Sequence, residues 1–326
     1  MIHRRSVVRG FAATAAAAAA LAFGGAAFAQ AFPTKPITFY VAFAPGGAGD
    51  IVARLLAKKM GESMGQAVVV ENRPAPMIAP ITAAKAKADG YTAVMIGSGT
   101  SLTQVLFKTV PYDVQKDFQH VSTLANFDLT VLTSGDSEFK TLADVIAFAK
   151  TNPGKLNIGT VRIGSTQHLS AEMFKSMAGL DVVIVPYKTT AEIVSALRAK
   201  DVHVALEILP PVLGQINQKV LRPLAVTSPK RFPGLPEVPT VAESGVPGYE
   251  ASSWNGFSVP AKTPRPVVDK LAAEINKAIS SPEVQKELQT LGMVARASTP
   301  EQMTERVKSD MAKWKGVIEK AKIPLQ

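Results

Sequence analysis

The chain has 326 residues, 47% of them hydrophobic and 19% charged, with no cysteine and a formal net charge of +10. This composition excludes a disulfide scaffold, thiol catalysis and Cys-ligated zinc, and it describes a packed globular protein. The basic excess is scattered, with no Lys/Arg block and no basic–aromatic interleave. It therefore points to no nucleic acid and is compatible with attracting an anionic ligand.

The N-terminus carries the clearest local signal. Arg4, Arg5 and Arg9 precede an Ala-rich apolar run from Phe11 to Ala22, and Ala27-Phe28-Ala29 supplies the small-x-small pattern of a cleavage site. Residues 1–29 read as a secretory signal cut before Gln30. The run is too short and too rich in Ala and Gly for a spanning helix. The string RRSVVRG resembles a twin-arginine signal, although ordinary secretory peptides also carry paired arginines. Without its first 29 residues the chain keeps 297, about two domains' worth, and its charge falls to +7.

Strand-like and helical segments then alternate, the pattern of an α/β fold with largely parallel sheets. Ile37–Phe43 reads as a buried strand, Asp50–Met64 as a helix, and Ala67–Glu71 and Tyr91–Gly97 as strands. Asp144–Lys150 is a helix that ends at the Asn152-Pro153-Gly154 turn. A second block repeats the theme. It has strands at Leu156–Thr160, Val182–Pro186, Val202–Glu207 and Pro223–Thr227, and helices at Ser165–Ala178 and Thr189–Ala199. Thr189 and Glu192 form a predicted capping box.

Ser228–Pro247 is a Pro/Gly-rich surface loop. Three helices follow, opening at Thr263-Pro264, Ser281-Pro282 and Thr299-Pro300. Two sheets imply two lobes. Residues 32–127 plus 228–326 would form a discontinuous first lobe and residues 128–227 the second. The crossings near Thr123–Val131 and Ala225–Ser228 would form a hinge.

Three polar loops end strands of this pattern. In Ala44-Pro45-Gly46-Gly47-Ala48-Gly49-Asp50 the glycines let backbone amides approach a ligand closely, and the helix start adds partial positive charge. The result is an anion site suited to carboxylate or phosphate. The P-loop Lys-Ser/Thr and the GxGxxG pattern are both absent. Asp50 either caps this helix or lines the site. Gly97-Ser98-Gly99-Thr100-Ser101 offers hydroxyls and amides from the same lobe. Arg162-Ile163-Gly164-Ser165-Thr166-Gln167-His168 does so from the other, as N-caps or as ligand contacts. Glu207, at a strand end, would face the cleft, where a carboxylate repels a bound acid unless it meets an ammonium or shares water.

Catalysis finds little support. After the signal the histidines are His120, His168 and His203, without metal-ligand spacing. Ser165 and His168 are neighbours in sequence, and adjacency is no triad. No catalytic residue, metal or cofactor is expected.

The chain resembles the substrate-binding receptors of tripartite tricarboxylate transporters, the Bug receptors. The likeness runs through FPTKPITFYVAFAPGGAGDIVARLLA, VVVENRP, ADGYTAVMIGSGT, STQHLSAEMFKSMAG, LRPLAVTSPKRFPGLPEVPTVAESGVPGYE and SSWNGFSVPAKTP. It implies a two-lobed, periplasmic-binding-protein-like (type II) α/β fold with a hinged interdomain cleft. It also implies a monomeric periplasmic receptor for a small mono- or dicarboxylate, aromatic acids included, that serves inner-membrane transporter subunits.

By the resemblance and the loops together, the ligand contacts would be Phe43, Pro45, Gly46, Gly47, Asp50, Ser98, Thr100, Arg162, Ser165, Thr166, His168, Glu207 and Trp254. Trp254 reads equally as cleft wall and as core. Three departures from the family pattern stand out. Ala75-Pro76-Met77-Ile78-Ala79-Pro80 replaces a Gly-rich loop, Val161-Arg162-Ile163 replaces a Gly/Asn-rich one, and Glu207 replaces a common Asp. Arg162 either pairs with a second carboxylate or projects into solvent. The competing functions are a sensor that docks on a signalling ectodomain and a periplasmic hydrolase.

Overall fold

The computed structural model describes residues 32–43, 45–73 and 77–326. The signal-peptide reading, Ala44 and Ala75-Pro76 lie outside them. Ten strands form one mixed sheet system in the order β2-β1-β3-β9-β4-β7-β5-β6, with β10 and β8 also paired to β4.

The first parallel set is β1 (Ile37–Val41), β2 (Val68–Asn72) and β3 (Thr92–Gly97), with β1 in the middle. Helices α1 (Ala48–Met64), α2 (Ile78–Ala84) and α3 (Ser98–Leu106) alternate with these strands. The second parallel set is β5 (Asn157–Val161), β6 (Val183–Tyr187) and β7 (Val204–Ile208), with α4 (Leu142–Thr151), α5 (Thr166–Ala178) and α6 (Thr190–Ala199) around it. The short α7 (Leu213–Asn217) leads to β8 (Leu221–Val226), and β9 (Ser252–Pro260) follows the long Pro-rich loop. The chain closes with α8 (Arg265–Ile279), α9 (Pro282–Thr290), β10 (Met293–Ala295) and α10 (Pro300–Lys320).

The sheets are not largely parallel as expected: five of the nine strand pairings are antiparallel, all of them made by central strands that the periodicity does not reveal. β4 (Phe118–Ser134) runs for 17 residues and changes partners along its length. Up to Asp128↔Ser252 it pairs with β9, and from Leu129↔Ile208 and Thr130↔Val226 it pairs with β7 and β8. At the change the Thr227 hydroxyl donates to Ala251 O at 2.5 Å and accepts from Leu129 N at 3.1 Å. Both chain crossings are thereby tied to one side chain. β9 is buried on both faces from Trp254 onward, so its sequence shows no alternation.

The first set packs Phe39, Val41, Met95 and Phe257 against α1, α8 and α9. Its other face packs Ile96 and Trp254 against Met303 and Val307 of α10. Further along, α10 sends Trp314 and Ile318 into a core with Leu102 and Leu106 of α3 and Leu169 and Phe174 of α5. One helix therefore packs on both halves of the sheet system.

Helix starts follow the sequence chemistry with three exceptions, the first at α1, where Gly47 and not Asp50 is the cap. Ser281 caps α9, and Thr299 with Gln302 forms a full capping box on α10. Thr263 does not cap α8, because its hydroxyl donates to Pro260 O and Pro264 takes the cap position. Thr189 accepts from Glu192 N as expected, but the Glu192 carboxylate reaches Lys188 N and leaves the box half made.

Candidate functional site

Phe43 to Asp50 links β1 to α1 at the carboxyl end of the parallel strands, where ligands bind in open α/β sheets. Gly46 holds φ = 78°, a conformation that favours glycine. Gly47 is the N-cap and offers no side chain. The first-turn amides of Ala48, Gly49 and Asp50 have no acceptor within the helix, as in any α-helix. The Phe43 ring lies against Gly49, and a Cβ built there would sit 2.9 Å from Met95 Sδ.

Asp50, 2% exposed, ties this loop down. It accepts from Gly46 N at 2.8 Å, Arg54 Nε at 3.0 Å and Asn72 Nδ2 at 2.7 Å. Asn72 also donates to Phe43 O and accepts from Arg54. Burial raises the carboxyl pKa, but the bonds from Arg54, Asn72 and Gly46 outweigh it and leave the group below the usual carboxylate range. Asp50 is therefore ionised and its charge is matched inside the protein. The loop's remaining donors are backbone amides.

The segment read as a second polar loop is the first turn of α3. Gly97 is its N-cap, and Ser98 to Thr100 supply its leading amides. Ser98 Oγ accepts from Trp254 N at 3.2 Å. The Ser101 hydroxyl is fully buried and has no partner among the described residues. Thr100 is half-buried. Trp254 is 1% exposed, with its Nε1 donating to Asp310 at 3.2 Å, and so takes the core position of its two readings.

From the second set, Ser165 caps α5. It accepts from His168 N and donates to Val161 O. Thr166 and His168 are buried in the same turn. Burial lowers the His168 pKa, so the ring is neutral near pH 7, and its Nδ1 has no partner among the described residues. Arg162 is exposed and Ile163 is 55% exposed. Gly164, at φ = 79°, lies against the Leu106 side chain of α3. This contact joins the loop of the second set to a helix of the first.

Glu207 lies beneath that loop at 0% exposure. It accepts from Gln167 Nε2 at 2.6 Å, Thr190 Oγ1 at 3.0 Å and its neighbour Ile208 N at 2.7 Å. Gln167 and Thr190 belong to the first turns of α5 and α6. Burial raises the Glu207 pKa, and these neutral donors offset it only in part. Among the described residues no cluster of three or more His, Asp or Glu is arranged to hold a metal ion. None of their helices is long and apolar enough to cross a membrane.

Sequence reasoning passed over two residues at this end of the sheet. Asn72 ends the VVVEN strand, where a polar group signals a strand terminus. Asn255 is 1% exposed, and neither amide atom has a partner among the described residues. Only the register Gly97↔Asn255 brings it to the loop end of β3.

Residues 52–323 match the family model described as the tripartite tricarboxylate transporter family receptor. Protein BugT of Bordetella pertussis is 33% identical over 98% of this chain and 97% of its own length. The solved structure of Rpa4515 from R. palustris with adipate is 35% identical, covers 90% of this chain and 99% of its own, and superposes with a TM-score of 0.81. MatC from Rhodopseudomonas palustris with bound malate is 27% identical, covers 88% of this chain and 100% of its own, and has a TM-score of 0.75.

Proposed function

The chain belongs to the tripartite tricarboxylate transporter receptor family, and from that premise we propose that it captures a small organic acid between two lobes and delivers it to an inner-membrane transporter of that type. Proteins of this family are periplasmic receptors for small carboxylates, not enzymes, and the hydrolase reading falls with that. The lobes of this proposal are residues 32–127 with 228–326, and residues 128–227. The hinge lies where β4 changes partners and Thr227 ties both crossings.

The observation that carries the reading is the contact of Gly164 with Leu106. It draws the loop that opens α5 in one lobe against the last residue of α3 in the other, and in the proposal the first-turn amides of α1 and α5 face one another across the cleft between the lobes. One carboxylate would sit on the α1 loop amides. Charge there is favoured by the helix start, and Asp50 does not repel it because Arg54 holds its charge. Arg162, exposed at the facing rim, would meet a second carboxylate or the outer end of the ligand. The solved relatives hold adipate and malate, which supports an acid of this size class.

Cleavage before Gln30, the export route and a monomeric state complete the proposal. A thermal-shift panel of mono- and dicarboxylic acids tests it on the protein lacking residues 1–29. A ligand that binds only the folded state adds RT ln(1 + [L]/Kd) to the unfolding free energy, about 2.7 kcal/mol at a hundredfold excess over Kd, and so raises Tm. A panel in which no acid shifts the melt overturns the reading.

A further inference from the structure

Asn255 is the buried polar group in this region that the fold itself leaves most clearly unused. It sits in β9 opposite Gly97, and the register Met95↔Phe257, Gly97↔Asn255 puts its side chain on the same sheet face as Met95. Met95 reaches the α1 start, where its sulfur lies beside Gly49. Asn255 is one pair further toward the carboxyl end of β3, opposite the glycine that caps α3. At 1% exposure both its Oδ1 and its Nδ2 lack a partner among the described residues.

A buried amide with neither atom paired costs more than an apolar side chain of the same shape, so its presence at a binding site calls for a partner from outside the chain. We infer that Asn255 is a specificity-determining residue that reads a hydroxyl group on the bound acid, next to the carboxylate held by the α1 loop. The inference rests on the receptor function proposed above.

The hydrogen-bonding inventory selects the hydroxyl. A carboxylate oxygen only accepts, so it can take Nδ2–H but leaves Oδ1 facing another acceptor. An ammonium only donates, and leaves Nδ2 unpaired. A hydroxyl donates to Oδ1 and accepts from Nδ2, and so completes both atoms. A site built to hydrogen-bond a substrate hydroxyl discriminates strongly against the analogue without it, because the buried protein group is then left unpaired.

Matched acids that differ by one hydroxyl test this by isothermal titration calorimetry: malate against succinate, and 2-hydroxyglutarate against glutarate. In the wild-type chain the hydroxylated member is expected to bind at least tenfold more tightly. Asn255→Leu should reduce that ratio below about threefold by weakening the hydroxylated acid alone. It should also raise the Tm of the ligand-free protein by about 2–4 °C, since an unpaired polar group is replaced by an apolar one. Asn255→Ala provides the same binding readout should the larger side chain not be accommodated.

Equal affinities within each pair, or an unchanged ratio in both variants, overturns the inference and leaves the receptor function standing. Failure of all four acids and of the wider panel to bind overturns both.

Discussion

Asp50 and Glu207 occupy comparable places in the two halves of the sheet, each buried beside helix amino ends under the candidate seam, yet they are held in opposite ways. Asp50 is met by a guanidinium, a side-chain amide and a backbone amide, and its pKa falls in spite of burial. Glu207 is met by an amide, a hydroxyl and one backbone N–H, with no cation, and its pKa rises. One carboxylate fixes a loop as a permanent ion. The other fills the space beneath two helix starts and retains an affinity for a proton. At Asp50 the hydrogen bonds, that of Arg54 foremost, outweigh burial; at Glu207, enclosed far more deeply and met by neutral donors alone, they do not.

The most disruptive way to break the comparison is Glu207→Ala. It opens a void and leaves Gln167 and Thr190 without their acceptor, and should cost about 3 kcal/mol in chemical denaturation. Glu207→Gln keeps the shape and should cost less than half as much. Asp50→Ala should cost about 2 kcal/mol and weaken acid binding, because the Gly46 amide, Arg54 and Asn72 lose their common anchor.

Asp128, at the partner change in β4, sharpens the comparison through pH. Burial pushes its carboxyl up to about 6. The folded protein thus holds this proton more tightly than the unfolded chain, and stability falls as pH rises from about 4 to about 6, then levels. Asn at this position should remove that slope and add about 2 kcal/mol at pH 7–8 relative to wild type. Asp50 contributes with the opposite sign. Its stabilisation is present above the unfolded pKa and is lost as pH falls through its depressed folded value. Denaturation midpoints from pH 3 to 8 separate the two trends.

The smallest structural effect is expected at Arg162. It is exposed and makes no ion pair among the described residues. Arg162→Ala should change stability by less than about 0.5 kcal/mol while weakening dicarboxylates by several-fold in calorimetry. Equal loss for mono- and dicarboxylates would deny it the second carboxylate.

Much of this frame could be read from residue order. The parallel strands, the glycine loop before α1 and the caps Ser281 and Thr299 follow from local chemistry, because each depends on neighbours within a few positions. The central strands could not be read. β9 is buried on both faces and so loses its period of two, and β4 serves two sheets with different partners. The Ser98 start of α3 looks like a loop because small hydroxyl and glycine residues suit both. At the site, the Gly46–Asp50 tie spans four residues and is visible as a motif. The Asn72 tie and the unpaired Asn255 depend on strand register across 22 and 158 positions, and no local pattern encodes that.

β4 carries a consequence of its own. Because one uninterrupted strand is central to both sheets, neither half can melt without stripping a main partner from the other. Calorimetry should therefore record a single endotherm whose van't Hoff and measured enthalpies agree, and a fragment cut out at the lobe boundaries should fail to fold alone. The stretch of β4 proposed as the hinge would then also be the weld between the halves.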